Sequence, residues 1–314
     1  MKPELWGEKP YYSLDYYCKT TYNEKLYKIA INAGFTCPNR DGTLDTRGCI
    51  FCSQGGSGEF AVTGTSVSAS TLMQDGIFLF HTKKTGTHFI FYFQAYTNTY
   101  APVERLRALY TAALLEPSCA GISIATRPDC LQAPVLDLLR DLQRDFPAKF
   151  IWVELGLQTI HEETAVFIRR GYPLSVFFEA VTALSKIGIK SIVHVIIGLP
   201  GENREMLLST IDYLNTLPIF GIKLQLLHIL KNTDLADLYL QGKVHILSME
   251  QYLDLVLDCL TNLRYDIVIH RVTGDGPKDL LLAPLWSHNK RQVLNSLHRQ
   301  MRQLHAYQGQ FYNS

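Results

Sequence analysis

Residues 121–159, GISIATRPDCLQAPVLDLLRDLQRDFPAKFIWVELGLQT, contain the unit from which the chain is built. GISIATR (121–127) and FIWVELGLQT (150–159) are near-continuous apolar runs rich in β-branched and aromatic residues. Runs of this kind mark strands covered on both faces, as in parallel sheets. Between them, PVLDLLRDLQRDF (134–146) places its apolar residues at helical spacing. A strand, a helix and a second strand in so short a stretch imply a right-handed parallel crossover.

The pattern extends in both directions. YKIAINAGF (27–35) and HFIFYFQAY (88–96) precede this unit, while IKSIVHVIIGLP (189–200) and GIKLQLLHIL (221–230) follow it. Helix-like segments fill the intervals at 103–115, 175–188 and 205–217, and Gly188 and Gly221 stand just before strands, where helix C-caps belong. The expected fold is α/β: a partial (β/α)6 barrel of parallel strands, with side chains at the C-terminal strand ends facing one mouth. DIVIHRVT (266–273) predicts a seventh strand after a helix at 248–263, and a last amphipathic helix covers 289–305. The expected division is an N-terminal extension over 1–26, the barrel over 27–245 and a C-terminal extension over 246–314 packing on it.

Composition narrows the class. With 47% hydrophobic and 19% charged residues the chain has globular rather than disordered composition. No run of roughly 18 apolar residues is present, so no membrane span is expected. MKPELWGEKPYYSLDYY at the N-terminus lacks the apolar core of an export signal, which makes the cytoplasm the expected location. Thirty basic residues against 29 acidic ones neither demand nor exclude nucleic acid.

Seven cysteines without an export signal read as thiols or metal ligands. Cys37, Cys49 and Cys52 fall together in AGFTCPNRDGTLDTRGCIFC (33–52), just past the first strand, while Cys18, Cys119, Cys130 and Cys259 are scattered. The arrangement Cys-x11-Cys-x2-Cys can ligate three irons of a [4Fe–4S] cluster and leave the fourth open to a substrate or cofactor. Gly42, Gly48, Gly55, Gly56 and Gly58 suit a loop wrapped around an inorganic core, and Phe51 is placed to wall off solvent or lie over an adenine. Two other readings stand beside this one. A structural zinc would want a fourth ligand, which Cys18 or a carboxylate could supply because no histidine precedes His81. Three grouped structural thiols are the other, although so polar a loop offers them little apolar burial.

The cluster motif followed by repeated β/α units resembles the radical S-adenosylmethionine (radical SAM) superfamily. Its spacing departs from the commonest Cys-x3-Cys-x2-Cys form and is similar to the longer first spacings of the elongator-like branch. AGFTCPNRDGT, FYFQAYTNTY, ATRPDC, ELGLQT, HVIIGLPGE and LLAPLWSHNK together resemble a bacterial subfamily of that branch, over residues 20 to 292. The resemblance implies two cofactors, a [4Fe–4S] cluster on Cys37, Cys49 and Cys52, and SAM bound to the open iron. An electron from the reduced cluster would break a carbon–sulfur bond and give a 5′-deoxyadenosyl radical that abstracts a substrate hydrogen.

The resemblance also suggests where SAM lies. Gln94-Ala95-Tyr96 stands where the superfamily usually has a Gly-Gly-Glu-like segment, so Gln94 and the backbone through Tyr96 would hold the methionine amino group. Gln158 matches a position near the ribose. Glu154, four residues earlier on a buried strand, needs a cation or hydroxyls to be tolerable there. Gly198 and Gly201 resemble a turn near adenine, or form an ordinary strand-to-helix turn.

Substrate contacts are sought at the mouth. Arg127 in ATRPDC can hold a carboxylate or phosphate bidentately, or else pair with Asp129 or Glu154. His194 and His228 read equally as interior histidines or as contacts. His270, Arg271 and Asp275 cluster at a strand end, and Arg127, Arg271 and Asp275 are the catalytic candidates. Lys290, Arg291, Arg299 and Arg302, interleaved with His298 and His305, form a solvated basic face or a phosphate contact that Lys19, Lys25 and Lys28 would extend. By resemblance the substrate is tRNA. A carboxymethylaminomethyl group on wobble uridine would be cut to aminomethyl, with Arg127 or Arg271 gripping the departing carboxylate and flavodoxin or ferredoxin supplying electrons. A radical SAM enzyme for a small metabolite and a non-catalytic metal-binding or electron-transfer module are the alternatives.

Overall fold

Apolar runs far apart in the chain pair edge to edge into one curled sheet. The computed structural model describes residues 5–63, 69–79, 86–274 and 276–312. The strands are β1 (Tyr27–Asn32), β2 (Val62–Thr63), β3 (Phe89–Phe93), β4 (Cys119–Thr126), β5 (Phe150–Gln158), β6 (Lys190–Ile197), β7 (Gly221–Leu226), β8 (Ile229–Leu230), β9 (Val268–Arg271) and β10 (Leu281–Ala283). Eight of them pair in parallel in the order β2-β1-β3-β4-β5-β6-β7-β9, and β8 and β10 form a separate antiparallel ribbon. This is the expected curled α/β half-barrel, with one short strand more at the β1 edge than the sequence indicated.

Ten helices are described: α1 (Leu14–Tyr22), α2 (Ala69–Phe78), α3 (Val103–Leu115), α4 (Ala133–Asp145), α5 (Glu162–Phe167), α6 (Leu174–Lys186), α7 (Arg204–Asn215), α8 (Asp234–Leu240), α9 (Met249–Asn262) and α10 (Lys290–Gln303). None is long and apolar enough to cross a membrane. The start of α9 is fixed by a reciprocal cap, in which the Gln251 amide N–H donates to Ser248 Oγ and the Ser248 amide N–H to Gln251 Oε1. Gly188 follows α6 with φ +74°, as a C-cap requires. Gly221 does not cap a helix. It is the first residue of β7, where a Cβ would stand 2.6 Å from the ring of His270, so close strand packing demands glycine there.

Period-two alternation gives the sheet two buried faces of different character. Outward residues such as Ile29, Phe91, Ile122, Val153, Val193 and Ile222 join the main core beneath the helices. Inward residues form a second, smaller core at the barrel floor, made of Ile90, Trp152, Ile192 and Val268 with Tyr17, Cys18 and Leu26. Tyr17 belongs to α1, so the N-terminal segment plugs the floor. Its ring lies 4.9 Å from Phe220 and 6.1 Å from Trp152, and its hydroxyl accepts from Lys190 Nζ at 2.8 Å. The same segment is tied to the far edge of the sheet, where the Ile269 amide N–H donates to the Tyr12 carbonyl at 2.7 Å.

Trp152 is fully buried between this floor and the polar layer above it. Trp152→Ala is expected to lower the unfolding free energy by about 3–5 kcal/mol, read as a lower midpoint in urea. An unchanged midpoint would show that the floor collapses at no cost.

Candidate active site

The loop after β1 carries the three grouped cysteines. Tight turns shape it: the Cys37 carbonyl accepts from the amides of Arg40 (2.8 Å) and Asp41 (3.1 Å), and the Cys49 carbonyl from the amide of Cys52 (3.0 Å). Cys37, Cys49 and Cys52 all border one inner cavity of about 190 Å³ at the C-terminal strand ends. Gly56 and Gly58 let this loop lie against residues 94–96, because a Cβ on either would come 2.5 Å from Tyr96 or Ala95.

Burial pushes the Cys49 thiol up to about 12 and raises that of Cys52, where Arg40 opposes the effect. Arg40 is held over the loop by donating to the carbonyls of Cys52 and Ser53, both at 2.7 Å. Asn39 Nδ2 donates to the Arg169 carbonyl at 2.7 Å and lies 3.5 Å from Cys49 Sγ. Soft donors that burial keeps protonated become thiolates when metal binds them, so this donor set fits an iron–sulfur group. Among the described residues no three histidine, cysteine, aspartate or glutamate side chains close on a point suited to one ion. Cys18, weighed as a fourth zinc ligand, lies buried in the floor at the other end of the barrel.

The remaining sequence candidates divide. Phe51, Gln94, Tyr96, Glu154, Gln158, Arg127 and Arg271 all border the inner cavity. Gln94 donates its amide to the Ser57 carbonyl at 2.5 Å, and the Tyr96 hydroxyl bonds the Gln54 carbonyl. Gln158 has φ +68°, and its Oε1 is buried without a hydrogen-bond partner. Arg127 takes the salt-bridge reading. Its Nε and Nη2 fork onto both carboxylate oxygens of Asp129 at 2.9 and 2.7 Å, and Nη1 donates to the Arg170 carbonyl at 2.9 Å. With that fork spent, Arg127 is a wall rather than a grip for a substrate carboxylate. Gly198 and Gly201 do not border the cavity; Gly198 lines a separate groove with Glu202 and Leu247. Asp275 lies outside the described residues.

The centre of the barrel is a cage around Glu154, whose side chain is wholly buried. Its Oε1 accepts from Lys28 Nζ of β1 at 2.5 Å and from Ser123 Oγ of β4 at 2.6 Å. Its Oε2 accepts from His194 Nε2 of β6 at 2.7 Å and pairs with Lys223 of β7. Lys223 also donates to the Tyr92 hydroxyl of β3 at 3.0 Å. Burial alone would raise the Glu154 carboxyl, yet Lys223, Lys28 and His194 hold it well below the usual carboxylate range. Burial, then the charge of Lys223, pushes His194 down to about 4, and burial lowers Lys223 to about 7 against the pull of Glu154.

Sequence reading missed Lys223, Tyr92, Ser123 and Arg40, and offered Lys28 as an extension of a phosphate contact. Lys28 instead points into the lumen, and Lys19 pairs with Asp15 on the surface of α1. The signal was partial, since a lysine inside YKIAIN or GIKLQLL needs an anion only when strand register turns its amine inward. Beyond the cage a second, outer chamber of about 760 Å³ opens between β1 and β9. Phe51, Ser57, Tyr92, Gln94, Ile196, Lys223, Gln225 and Arg271 border both spaces. Lys290 reaches the outer chamber, while Arg291, Arg299 and Arg302 lie exposed on α10 outside it. His228 and His270 border the same chamber.

The cage carries a pH signature. His194 binds its proton more weakly folded than unfolded, so the unfolded chain holds more protons between pH 6.5 and 4 and stability falls as pH drops through that window. Glu154 extends the loss below 4.5. His194→Asn is expected to remove about 3 kcal/mol of that slope, read from urea midpoints at pH 7, 5.5 and 4. Parallel profiles for both proteins would contradict a neutral folded imidazole.

Comparison with known proteins accords with this geometry. The radical SAM superfamily profile matches residues 37–214, and the radical SAM C-terminal domain profile matches residues 219–303. The YtqA protein of Bacillus subtilis is 43% identical over 305 residues, covering 97% of this chain and 94% of that one. Elongator complex protein 3 of Schizosaccharomyces pombe is 25% identical over 182 residues, which are 57% of this chain and 32% of that longer protein. In fold the chain is similar to the archaeal Elp3 of Methanocaldococcus infernus, with a TM-score of 0.67 at 15% identity, covering 90% of this chain and 64% of that structure. Radical SAM proteins use a [4Fe–4S] cluster and SAM. Three thiols on the loop after the first strand, a half-barrel mouth and a profile match over more than half of the residues lead to one conclusion: this chain belongs to the radical SAM superfamily.

Proposed function

We propose that this radical SAM enzyme acts on the wobble uridine of tRNA, cutting a carboxymethylaminomethyl group down to aminomethyl: the carbon beside the carboxylate would lose a hydrogen atom and then one electron, returned to the cofactors that supplied it, after which water would split the C–N bond and release the amine and a two-carbon oxo acid. The observation that carries the reading is the outer chamber. Its volume of about 760 Å³ falls in the range of small-ligand sites, and Lys28, Lys223, Arg271, Lys278 and Lys290 border it. Anticodon-loop bases are single-stranded and can be splayed out into such a space. Their phosphates would meet Lys278 and Lys290 at the rim and the exposed arginines of α10 beyond. The elongator-like character of the sequence supports a uridine as the base.

Cys37, Cys49 and Cys52 would hold the cluster, with Arg40 offsetting the charge of their thiolates. When bound, the reduced cluster and SAM supply the one-electron chemistry that abstracts a hydrogen atom. The chain's own work is placement. Gln158 offers an unpartnered amide oxygen to a hydroxyl or amine of the bound cofactor. Arg127, locked by Asp129 and lying 5.0 Å over the Tyr172 ring, walls the cavity. Phe51 and Ile196, at the junction of the two spaces, keep water from the reacting carbon. A flavodoxin or ferredoxin of the cytoplasm would supply the electron.

Replacing any one of Cys37, Cys49 or Cys52 by Ala is expected to abolish 5′-deoxyadenosine formation on reduction and to strip most iron and sulfide from the protein. Cys259→Ala, in the core under the helices, is expected to retain both. Deoxyadenosine formed at the normal rate by Cys37→Ala would remove the cluster assignment. The substrate is tested separately. Anaerobic incubation of the cluster-loaded protein, SAM and reductant with tRNA from a strain lacking this gene should convert carboxymethylaminomethyluridine to aminomethyluridine, seen by nucleoside mass spectrometry. An unchanged profile would sink the tRNA reading and leave the radical chemistry standing.

A further inference from the structure

Hydrogen abstraction alone does not split a C–N bond, because protons must also move. Of the described residues that border both the inner cavity and the outer chamber, three carry ionisable side chains, Tyr92, Lys223 and Arg271. Burial and the charge of Glu154 push the Tyr92 hydroxyl well above its ordinary value, so it keeps its proton near neutrality. A guanidinium does not release its proton in proteins, which sets Arg271 aside. Lys223, lowered by burial to about 7, exists in both forms there. A group that must take and then give a proton works best when its two forms are balanced at the working pH.

Geometry holds this amine at the junction. Glu154 of β5 and the Tyr92 hydroxyl of β3, the latter at 3.0 Å, take two of the three positions around Lys223 Nζ. Among the described residues no hydrogen-bond partner takes the third, which carries a hydrogen in the ammonium and a lone pair in the amine. The other charged or titratable groups that face Lys223 are Lys28 of β1, His194 of β6, and His270 and Arg271 of β9. His194 borders only the inner cavity, and Lys28 and His270 only the outer chamber. Lys223 alone among them is shared by the two spaces and exchanges a proton near neutrality.

We propose that Lys223 is the general base and then the general acid at this junction, serving a substrate whose reacting carbon is bonded to a leaving nitrogen. The inference rests on the outer chamber holding the substrate, as the proposed function has it, and deepens that reading. Loss of a hydrogen atom and of one electron, returned to the cofactors, leaves a C=N bond with the positive charge on nitrogen. A water of the outer chamber then adds to the carbon while its proton passes to the Lys223 amine. The ammonium gives that proton to the nitrogen, and the C–N bond breaks with its electron pair going to nitrogen. The new hydroxyl releases its own proton to solvent and becomes the carbonyl of the oxo acid.

Two measurements test the lysine. In the first, the cluster-loaded, full-length protein is acetylated with trace acetic anhydride between pH 5 and 9, and each lysine is followed by peptide mass spectrometry. Labelling of Lys223 is expected to rise with a midpoint of about 7, whereas an ordinary lysine titrates at about 10. A Lys223 that stays unlabelled, or whose labelling is still climbing at pH 9, overturns the proposal whatever the substrate. In the second, an anticodon stem-loop RNA carries 5-carboxymethylaminomethyluridine deuterated at the carbon beside the carboxylate. The unaltered protein is expected to yield aminomethyluridine and deuterated 5′-deoxyadenosine in equal amounts. Lys223→Arg keeps a cation beside Glu154 but does not release a proton. It is expected to lower the amine formed per deuterated deoxyadenosine by about tenfold or more. An unchanged ratio overturns the proposal, since a merely structural role moves both products together. If the variant fails to fold, the labelling midpoint decides alone. RNA left unchanged by the unaltered protein, with Lys223 titrating at about 7, removes the wobble-uridine reading and upholds the lysine.

Discussion

One buried carboxylate organises the barrel. Glu154 accepts hydrogen bonds from side chains of β1, β4 and β6 and pairs with a lysine of β7 that in turn bonds β3. A lone ion there would be intolerable, and a lone ion pair is weak evidence for stability. A cage in which each oxygen has two donors is different, because removing any member leaves a buried group short of a hydrogen bond or of its counter-charge. The cage also fixes relative placement. Strands that hydrogen-bond only to their neighbours are tied across the lumen by side chains, so the opening of the half-barrel keeps its width.

That width sets the chemistry. Below the cage the lumen is packed with Trp152, Ile90, Ile192 and Val268, and above it the walls are polar. The inner space sits under the cysteine loop, the outer chamber opens sideways past Arg271, and Lys223 faces both. Under the proposed function, a reaction that generates a highly reactive carbon would use the inner space for the cofactors and the outer one for a substrate that is loaded and emptied.

Much of the fold was legible because local composition settles it. The apolar runs at 121–127 and 150–159 became strands, and the helix at 103–115 matched to the residue. The cysteine trio was legible because its spacing is a local property of one loop. The cage was half legible: the cost of Glu154 in an apolar run was evident, but its partners were not. Lys28 lies 126 residues away, and only parallel register across intervening strands brings it to the carboxylate. Taken locally, a lysine in a strand is indistinguishable from one whose amine reaches solvent. Arg127 misled for the opposite reason, since the neighbour two residues on used the fork that a ligand was expected to use. Gly198 lines a groove with residues of α7 and α9, a placement set by packing between elements distant in sequence.

The two ends of the molecule are stitched together at the barrel floor. The Tyr12 amide N–H donates to Gln308 Oε1, the Gln308 amide N–H to the Pro10 carbonyl, and Gln308 Nε2 to the carbonyls of Arg264 and Ile267. A residue near position 10 thus waits for one near position 308 before its own anchorage is complete. During synthesis on the ribosome, the strap beneath the lumen gains its last fastening only after every barrel strand has emerged. Trimming either terminus would therefore loosen the other, because the fastening beneath the lumen is shared between them.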